Sequence, residues 1–344
     1  MVTRATSQVL LRTVLKSVSR SFYLTLAVLP ADVRAPVSLA YLLARAADTI
    51  ADTDVIDPPR RLHYLNRFRE WVRESSGNGV ILREIQAALH VVRTDAQTDS
   101  SERALLAHLE ECGRLLETFA PEDRKLVRGV LSDLTAGMQD DLTRFPGTLT
   151  TLDDLDRYTY YAAGCVGDFW TRIMCAHRPA LRVWDVEAMA RVGVRFGKGL
   201  QYTNVLKDLA TDLQRGRCYI PTDLLHTVGL TPADLLDPAS LPKFRPVLAK
   251  LLRIALEHLD QGWLYTMAIP RREVRLRLAC AWPILFAVKT LQRVSVSDGL
   301  LDPAITTKMT RGEVYRIMAL TGGTLACENT LTAYYGRLRK SVVC

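Results

Sequence analysis

The chain is poor in the signatures of several protein classes. Its 7 cysteines, at positions 112, 165, 175, 218, 280, 327 and 344, form no C-x-x-C pair. In a chain of 344 residues that argues against a disulfide-stapled scaffold and for the reduced, mostly buried thiols of a cytoplasmic protein. The 6 histidines show no H-E-x-x-H spacing, so nothing points to zinc. No run is long enough to cross a bilayer. The longest uncharged apolar stretch runs from Leu278 to Val288 and is closed by Arg277 and Lys289, whereas a span needs roughly 20 residues. The net charge is +8, yet no block of lysine and arginine with interleaved aromatics occurs, and no zinc-finger or RNA-binding signature. Nucleic acid is therefore set aside as a partner. The last residues, Ser341-Val342-Val343-Cys344, are not a prenylation box, which needs its cysteine four from the end.

Apolar residues are abundant, at 48% of the chain, and recur at three- and four-residue spacing with few strand-like alternations. That pattern predicts an all-α protein with a large core. No acid precedes Asp32, and Arg4, Arg12, Lys16 and Arg20 give the start the look of a transit peptide. The same segment leads directly into a candidate site motif, so it belongs with the fold. The spacing predicts helices over 7–29, from Pro36 to about Asp52, over 80–93, over 102–119, from Pro121 to about Thr143, from a Thr151 cap through Met174, from Trp184 to Leu213, over 246–268, over 273–295 and from about 311 to 338. Prolines at 232, 238, 242 and 246 make 229–246 the most loop-like stretch.

Two helical segments carry an unusual charge pattern. Tyr41, Arg45, Asp48 and Asp52 fall in one stripe of a helix, and Leu42, Leu43, Ala46, Ala47 and Ile50 around them are apolar. The pattern returns 160 positions later, where Gln201, Asn204, Asp208 and Asp212 share a stripe flanked by Leu200, Val205, Leu206, Leu209 and Ala210. Isolated buried charge is costly, by several kcal/mol. An arginine–aspartate ion pair on an ordinary helix face is the simpler reading of either stripe alone. Two Asp-x-x-x-Asp stripes in one chain fit better with a wet cavity or a bound cation. Mg²⁺ takes one or two carboxylates together with phosphate oxygens and water, so two such claws suit a diphosphate. Arg20, Arg45, Lys207, Arg215 and Arg217 lie near the claws as added cations.

Two further clusters stand out. Ser17-Val18-Ser19-Arg20-Ser21-Phe22 sets hydroxyls and a cation at the end of an apolar helix, where helix capping is the alternative. Tyr158-Thr159-Tyr160-Tyr161-Ala162-Ala163-Gly164-Cys165-Val166-Gly167 joins three tyrosines to small residues. The small residues let helices approach closely or leave room for a ligand. The rings would stabilise a carbocation, with plain core packing as the alternative.

These pieces, in this order and spacing, resemble the squalene and phytoene synthase family, the head-to-head isoprenoid synthases. The matching motifs are Ser19-Arg20-Ser21-Phe22, Tyr41…Arg45…Asp48…Asp52, Tyr158…Tyr161-Ala162-Ala163-Gly164…Gly167 and Gly199…Gln201…Asn204…Asp208…Asp212…Gly216-Arg217…Pro221. The resemblance implies a single all-α isoprenoid synthase domain over residues 1–344, with a central cavity across which the two aspartate helices face. It implies Mg²⁺ held by Asp48, Asp52, Asn204, Asp208 and Asp212, with the four aspartates and Tyr158 as catalytic groups, Tyr158 assisting proton transfer. It places substrate contacts at Ser19, Arg20, Ser21, Phe22, Tyr41, Arg45, Gln201, Asn204, Lys207 and Arg217. Two allylic diphosphates would condense to a cyclopropyl diphosphate.

Within the family, Cys280-Ala281-Trp282-Pro283, Gly137-Met138 and Lys308-Met309-Thr310-Arg311-Gly312 resemble squalene synthase segments. That implies reduction by NADPH, with Arg20, Arg45, Lys207, Lys308 and Arg311 toward the cofactor. There are departures: Ala51 where a third acid is frequent, Lys207 where arginine is usual, Gln292-Arg293-Val294-Ser295 where an Asn-rich stretch is normal, and no membrane anchor after Cys344. They fit a bacterial-type soluble form. The expected activity is conversion of farnesyl diphosphate to squalene, in the cytoplasm with peripheral contact at a membrane surface. The alternatives are a synthase that stops at phytoene, dehydrosqualene or presqualene diphosphate, and an isoprenoid carrier or assembly factor on the same fold.

Overall fold

The computed structural model describes residues 8–19, 22–74, 79–89, 99–324 and 328–344. Arg20 and Ser21 of the first motif lie outside the described residues, as does the side chain of Phe22. The fold is all-α. Among the described residues the strands are two short pieces, β1 (Gly147–Thr148) and β2 (Arg217–Cys218), paired in parallel with Gly147 opposite Arg217. The chain gathers into two compact units, one of residues 1–143 with 172–179 and the other of 144–171 with 180–344.

The first unit starts with a π-helical stretch, Val9–Val14, that runs into α1 (Leu15–Ser19). After α2 (Phe22–Val28) comes α3 (Ala31–Asp52). The sequence predicts this helix from Pro36, but it begins at Ala31 with Pro36 inside. Proline this close to a helix start forfeits one i→i−4 bond, and Asp32 in the first turn favours an N-terminus there. α4 (Pro58–Arg73) is capped by Asp57, which accepts from the Arg60 N–H at 3.0 Å. α5 (Val80–Ala88), α6 (Ser100–Ala107), α7 (Leu109–Leu116) and α8 (Pro121–Arg144) follow. The helix predicted over 102–119 is two, because the chain breaks at His108 (φ −112°, ψ 18°). Residues 90–93 of the one predicted over 80–93 lie outside the described residues. Leu39, Leu42, Leu43, Ala46, Ala47 and Ile50 of α3 are 0% exposed and pack on α4, α6 and α7.

In the second unit, Thr151 caps α9 (Leu152–Thr159) in a capping box with Asp154. A π-helical turn, Tyr160–Gly164, leads into α10 (Cys165–His177), which belongs to this unit up to Thr171. α11 (Val186–Lys207) and α12 (Leu209–Gln214) take the place of the single helix predicted from Trp184 to Leu213. Asp208 (φ −98°, ψ 7°) divides them, although the Asp212 N–H still bonds the Asp208 carbonyl at 2.9 Å. α13 (Thr222–His226) and two 3₁₀ turns in the loop-like stretch precede α14 (Leu241–Ala268). α14 starts a turn before the predicted Pro246, since Pro242 sits in its first turn. α15 (Val274–Val296) is next, and the last predicted helix is a pair, α16 (Arg311–Thr324) and α17 (Glu328–Lys340). α11 is the centre of the unit, packed on α14, α15 and the π turn. The small residues serve close approach: a Cβ on Gly167 would lie 1.9 Å from the Gly193 carbonyl oxygen, and one on Gly197 2.2 Å from that of Ala163. Among the described residues no helix is long and apolar enough to cross a membrane.

Candidate active site

The first stripe is open along an otherwise buried helix. Tyr41, Arg45 and Asp48 are half-buried and Asp52 is exposed, while Leu42, Leu43, Ala46, Ala47, Ile50 and Ala51 between them are buried. Arg45 reaches both ways, pairing with Asp48 through one guanidinium nitrogen and with Glu102 of α6 through the other at 2.5 Å. The Tyr41 hydroxyl donates to the Val18 carbonyl at 3.3 Å and ties α3 to the end of α1. Desolvation and the neighbouring charge of Asp52 push the Asp48 carboxyl up to about 6, with Arg45 pulling it down. Ser19 is 2% exposed and its hydroxyl donates to the Leu15 carbonyl at 2.6 Å. The hydroxyl is thus bonded within its own helix, as Ser17 is to Val14 at 2.7 Å.

The second stripe repeats the scheme. Gln201, Asp208 and Asp212 are half-buried and Asn204 is exposed, with Tyr202, Thr203, Val205, Leu206 and Leu209 buried around them. Lys207 pairs with Asp208. Desolvation and Asp208 push Asp212 up to about 6, opposed by Arg217, Arg215 and Lys207. Arg217 stands in β2, which hydrogen bonds hold beside β1 on the chain leading to α9.

Tyr158 joins this stripe from α9. The Gln201 amide donates to its phenolic oxygen at 3.0 Å, and Asn204 donates to Gln201 at 3.3 Å. These bonds fix where the phenolic oxygen stands beside the stripe. Tyr219, just after β2, stacks on the Tyr158 ring at 4.4 Å and 26° and is itself met edge-on by Phe145 at 5.0 Å. Of the remaining tyrosines, Tyr160 has the Lys198 ammonium 6.0 Å from its ring, and Lys198 pairs with Asp156 at 2.6 Å. That ring already faces a cation supplied by the protein.

The basic segment is also brought to this stripe. Thr307 is buried, and its hydroxyl donates to the Lys207 carbonyl at 3.4 Å, so Lys308 begins where α11 ends. Arg293 donates to the Lys308 carbonyl at 2.9 Å and pairs with Glu313 at 2.7 Å. The Thr310 N–H and then Arg293 hold the Glu313 carboxyl down at about 2. Lys308 and Arg311 themselves are exposed.

Glu102, Tyr219, Arg293 and Glu313 are site residues that sequence reasoning missed. None stands in a periodic stripe, and each meets its partner from a remote element, so only the fold reveals them. Each claw offers two carboxylates whose mutual repulsion a divalent cation relieves, a donor set that fits Mg²⁺. Among the described residues no group of three or more His, Cys, Asp or Glu gathers to hold a metal. The remaining ligands would have to come from substrate oxygens, amides or water.

Comparison with known proteins identifies the family. The model of the squalene/phytoene synthase family matches residues 15–313, and the chain belongs to that family. It is 27% identical over 263 residues to the bifunctional lycopene cyclase/phytoene synthase of Phaeosphaeria nodorum, a match covering 75% of this chain and 42% of that protein. It is 24% identical over 332 residues to the squalene synthase of Eremothecium gossypii, covering 95% of this chain and 70% of the relative. The chain thus spans less than half the length of the bifunctional relative. A solved structure of TcSQS with the ligand BPH1237 superposes with a TM-score of 0.77 at 23% identity, over 96% of this chain and 91% of the other, a likeness of fold.

Proposed function

We propose that this chain is a Mg²⁺-dependent prenyltransferase that joins two farnesyl diphosphates into presqualene diphosphate and reduces it to squalene with NADPH. The observation that carries the condensation is the pair of open carboxylate stripes, each bordered by buried apolar side chains and each holding an aspartate paired with a protein cation. Bound Mg²⁺ would neutralise the departing diphosphate. Asp48 and Asp52 would hold it at the first stripe, and Asp208 and Asp212 with Asn204 at the second. Arg45, Lys207 and Arg217 would steady diphosphate oxygens by charge-assisted bonds. Tyr158, its oxygen set by Gln201 and its ring by Tyr219, would assist transfer of the proton released when the cyclopropane closes. The docking of the Lys308 segment on the end of α11 supports the reductive step, in which Lys308 and Arg311 would serve as cations for dinucleotide phosphates.

Incubation with farnesyl diphosphate, Mg²⁺ and NADPH should yield squalene. Preferential use of geranylgeranyl diphosphate would refute the substrate. Product that halts at presqualene diphosphate or dehydrosqualene with NADPH present would refute the reduction. The 27% identity to a protein with phytoene synthase activity makes that non-reductive outcome the second reading.

A further inference from the structure

The second unit has a surface where acids are withdrawn and apolar side chains stand out. α16 lies along α15. Glu313 at its start bonds Arg293 at 2.7 Å, and Trp282 donates to the Thr321 hydroxyl near its end at 2.9 Å. These contacts turn Ile317 and Thr321 inward, at 3% and 0% exposed. The outward arc carries Arg311, Tyr315, Arg316, Ala319 and Leu320, with Tyr315 63% and Leu320 46% exposed. A surface helix ordinarily turns mixed charge outward. This arc holds two arginines and no acid, because Glu313, the one acid of α16, is folded against Arg293.

The turn from α14 to α15 repeats the composition. Leu264 is 60% and Val274 45% exposed, and the exposed charges beside them are Arg271, Arg272 and Arg275. Glu273, the one acid between Leu264 and Arg275, is 7% exposed. At the start of α17, Arg271 and Arg277 both bond Glu328 at 2.6 Å. No acid follows Glu328 in the sequence, whereas Arg337 and Lys340 are exposed.

Exposed aromatic and aliphatic groups ringed by cations, with each nearby acid neutralised or buried, match an anionic lipid interface. The apolar groups enter the headgroup boundary and the guanidinium groups meet phosphates. Nucleic acid would engage the cations but offers no phase for Leu320, Leu264 and Val274. The length also suits a planar surface, since a helix of 14 residues runs about 20 Å.

We propose that the outer arc of α16 and the α14–α15 turn dock this chain on an anionic phospholipid surface. The inference goes beyond the catalytic reading and does not depend on it, and it is tested without catalysis. The full chain is sedimented with vesicles of phosphatidylcholine alone and of phosphatidylcholine mixed with phosphatidylglycerol. Binding to the anionic vesicles should be at least about tenfold tighter and should fall as salt is raised. Tyr315→Ser with Leu320→Ser should weaken it by about tenfold. Leu236→Ser should leave it unchanged, since Leu236 is 57% exposed but stands between acids, two after Asp234 and next to Asp237. A polarity-sensitive dye on Leu320→Cys should shift to the blue on anionic vesicles while the same dye on Leu236→Cys does not, a readout that survives if the double variant folds poorly. Equal binding to both vesicles, no binding, or a dye at position 320 that stays in water would overturn the proposal.

Discussion

Asp48→Asn separates a functional carboxylate from a structural one. In the folded chain the Asp48 carboxyl rises from 3.8 to about 6. At 1.36 kcal/mol per pH unit the ionised form costs the fold about 3 kcal/mol at pH 7. The side chain is 37% exposed, so solvent screening reduces this to about 1 kcal/mol. Asparagine removes that cost, and Arg45 is not stranded because Glu102 still holds it at 2.5 Å. The variant should therefore melt at the parent temperature or a degree or two above it, while turnover of farnesyl diphosphate falls by about a thousandfold. Mg²⁺ with an unreactive diphosphate analogue should raise the parent's melting temperature and raise the variant's far less. Scanning calorimetry with and without ligand, beside a product assay, reads both. Clear destabilisation of Asp48→Asn would mark the Arg45–Asp48 pair as scaffolding, and full activity would sink the claw.

Four other outcomes follow from the same geometry. Tyr219→Leu should lower kcat three- to tenfold with KM held, since a ring stack is worth about 1 kcal/mol, and Tyr219→Phe should restore the rate. Arg293→Ala frees the Lys308 segment, so KM for NADPH should rise about tenfold while condensation, followed by diphosphate release, stays within about twofold. His258 is held down at about 4 from 6.5 by burial and by Arg195 and Lys198. The unfolded chain then takes up the proton first, so stability is complete above 6.5 and drops by about 1–2 kcal/mol as pH falls toward 4. Urea midpoints should show the parent losing stability relative to His258→Gln as pH falls across that range, the slope shared by both coming from raised carboxyls such as Asp48 and Asp212. Gly167→Ala drives a methyl to 1.9 Å from the Gly193 carbonyl and should cost about 3 kcal/mol or more, whereas Gly129→Ala, with nothing within 4 Å, should not destabilise.

The helices and both carboxylate stripes were legible because they depend on local periodicity. A half-buried Asp48 among Leu42, Leu43, Ala46 and Ala47 is written in residue types alone. Helix ends were less so: Pro36 and Pro246, read as helix starts, both lie inside helices, where tertiary packing outweighs one lost backbone bond. The break at Asp208 left no mark either, since no glycine or proline stands between Val205 and Thr211. Residues that act across elements were not legible at all. Tyr219 meets Tyr158 only because Gly216, at φ +73°, turns the chain and the β1–β2 pair then sets it beside α9.

The two stripes also differ in a way that bears on chemistry. Arg45 is shared between Asp48 and Glu102, so a diphosphate that draws it off Asp48 leaves it one partner. Lys207 instead pairs with the adjacent Asp208, and the Lys207 carbonyl is held from behind by Thr307. A ligand that takes the Lys207 ammonium therefore works against the hinge between α11 and α12 and the segment that carries Lys308. Diphosphate binding at the second stripe should thus be felt at Lys308, while binding at the first should be absorbed by Glu102. Proteolysis or hydrogen exchange at 305–312 with inorganic diphosphate and Mg²⁺ should reveal that asymmetry, and it should vanish in Asp208→Asn but persist in Asp48→Asn.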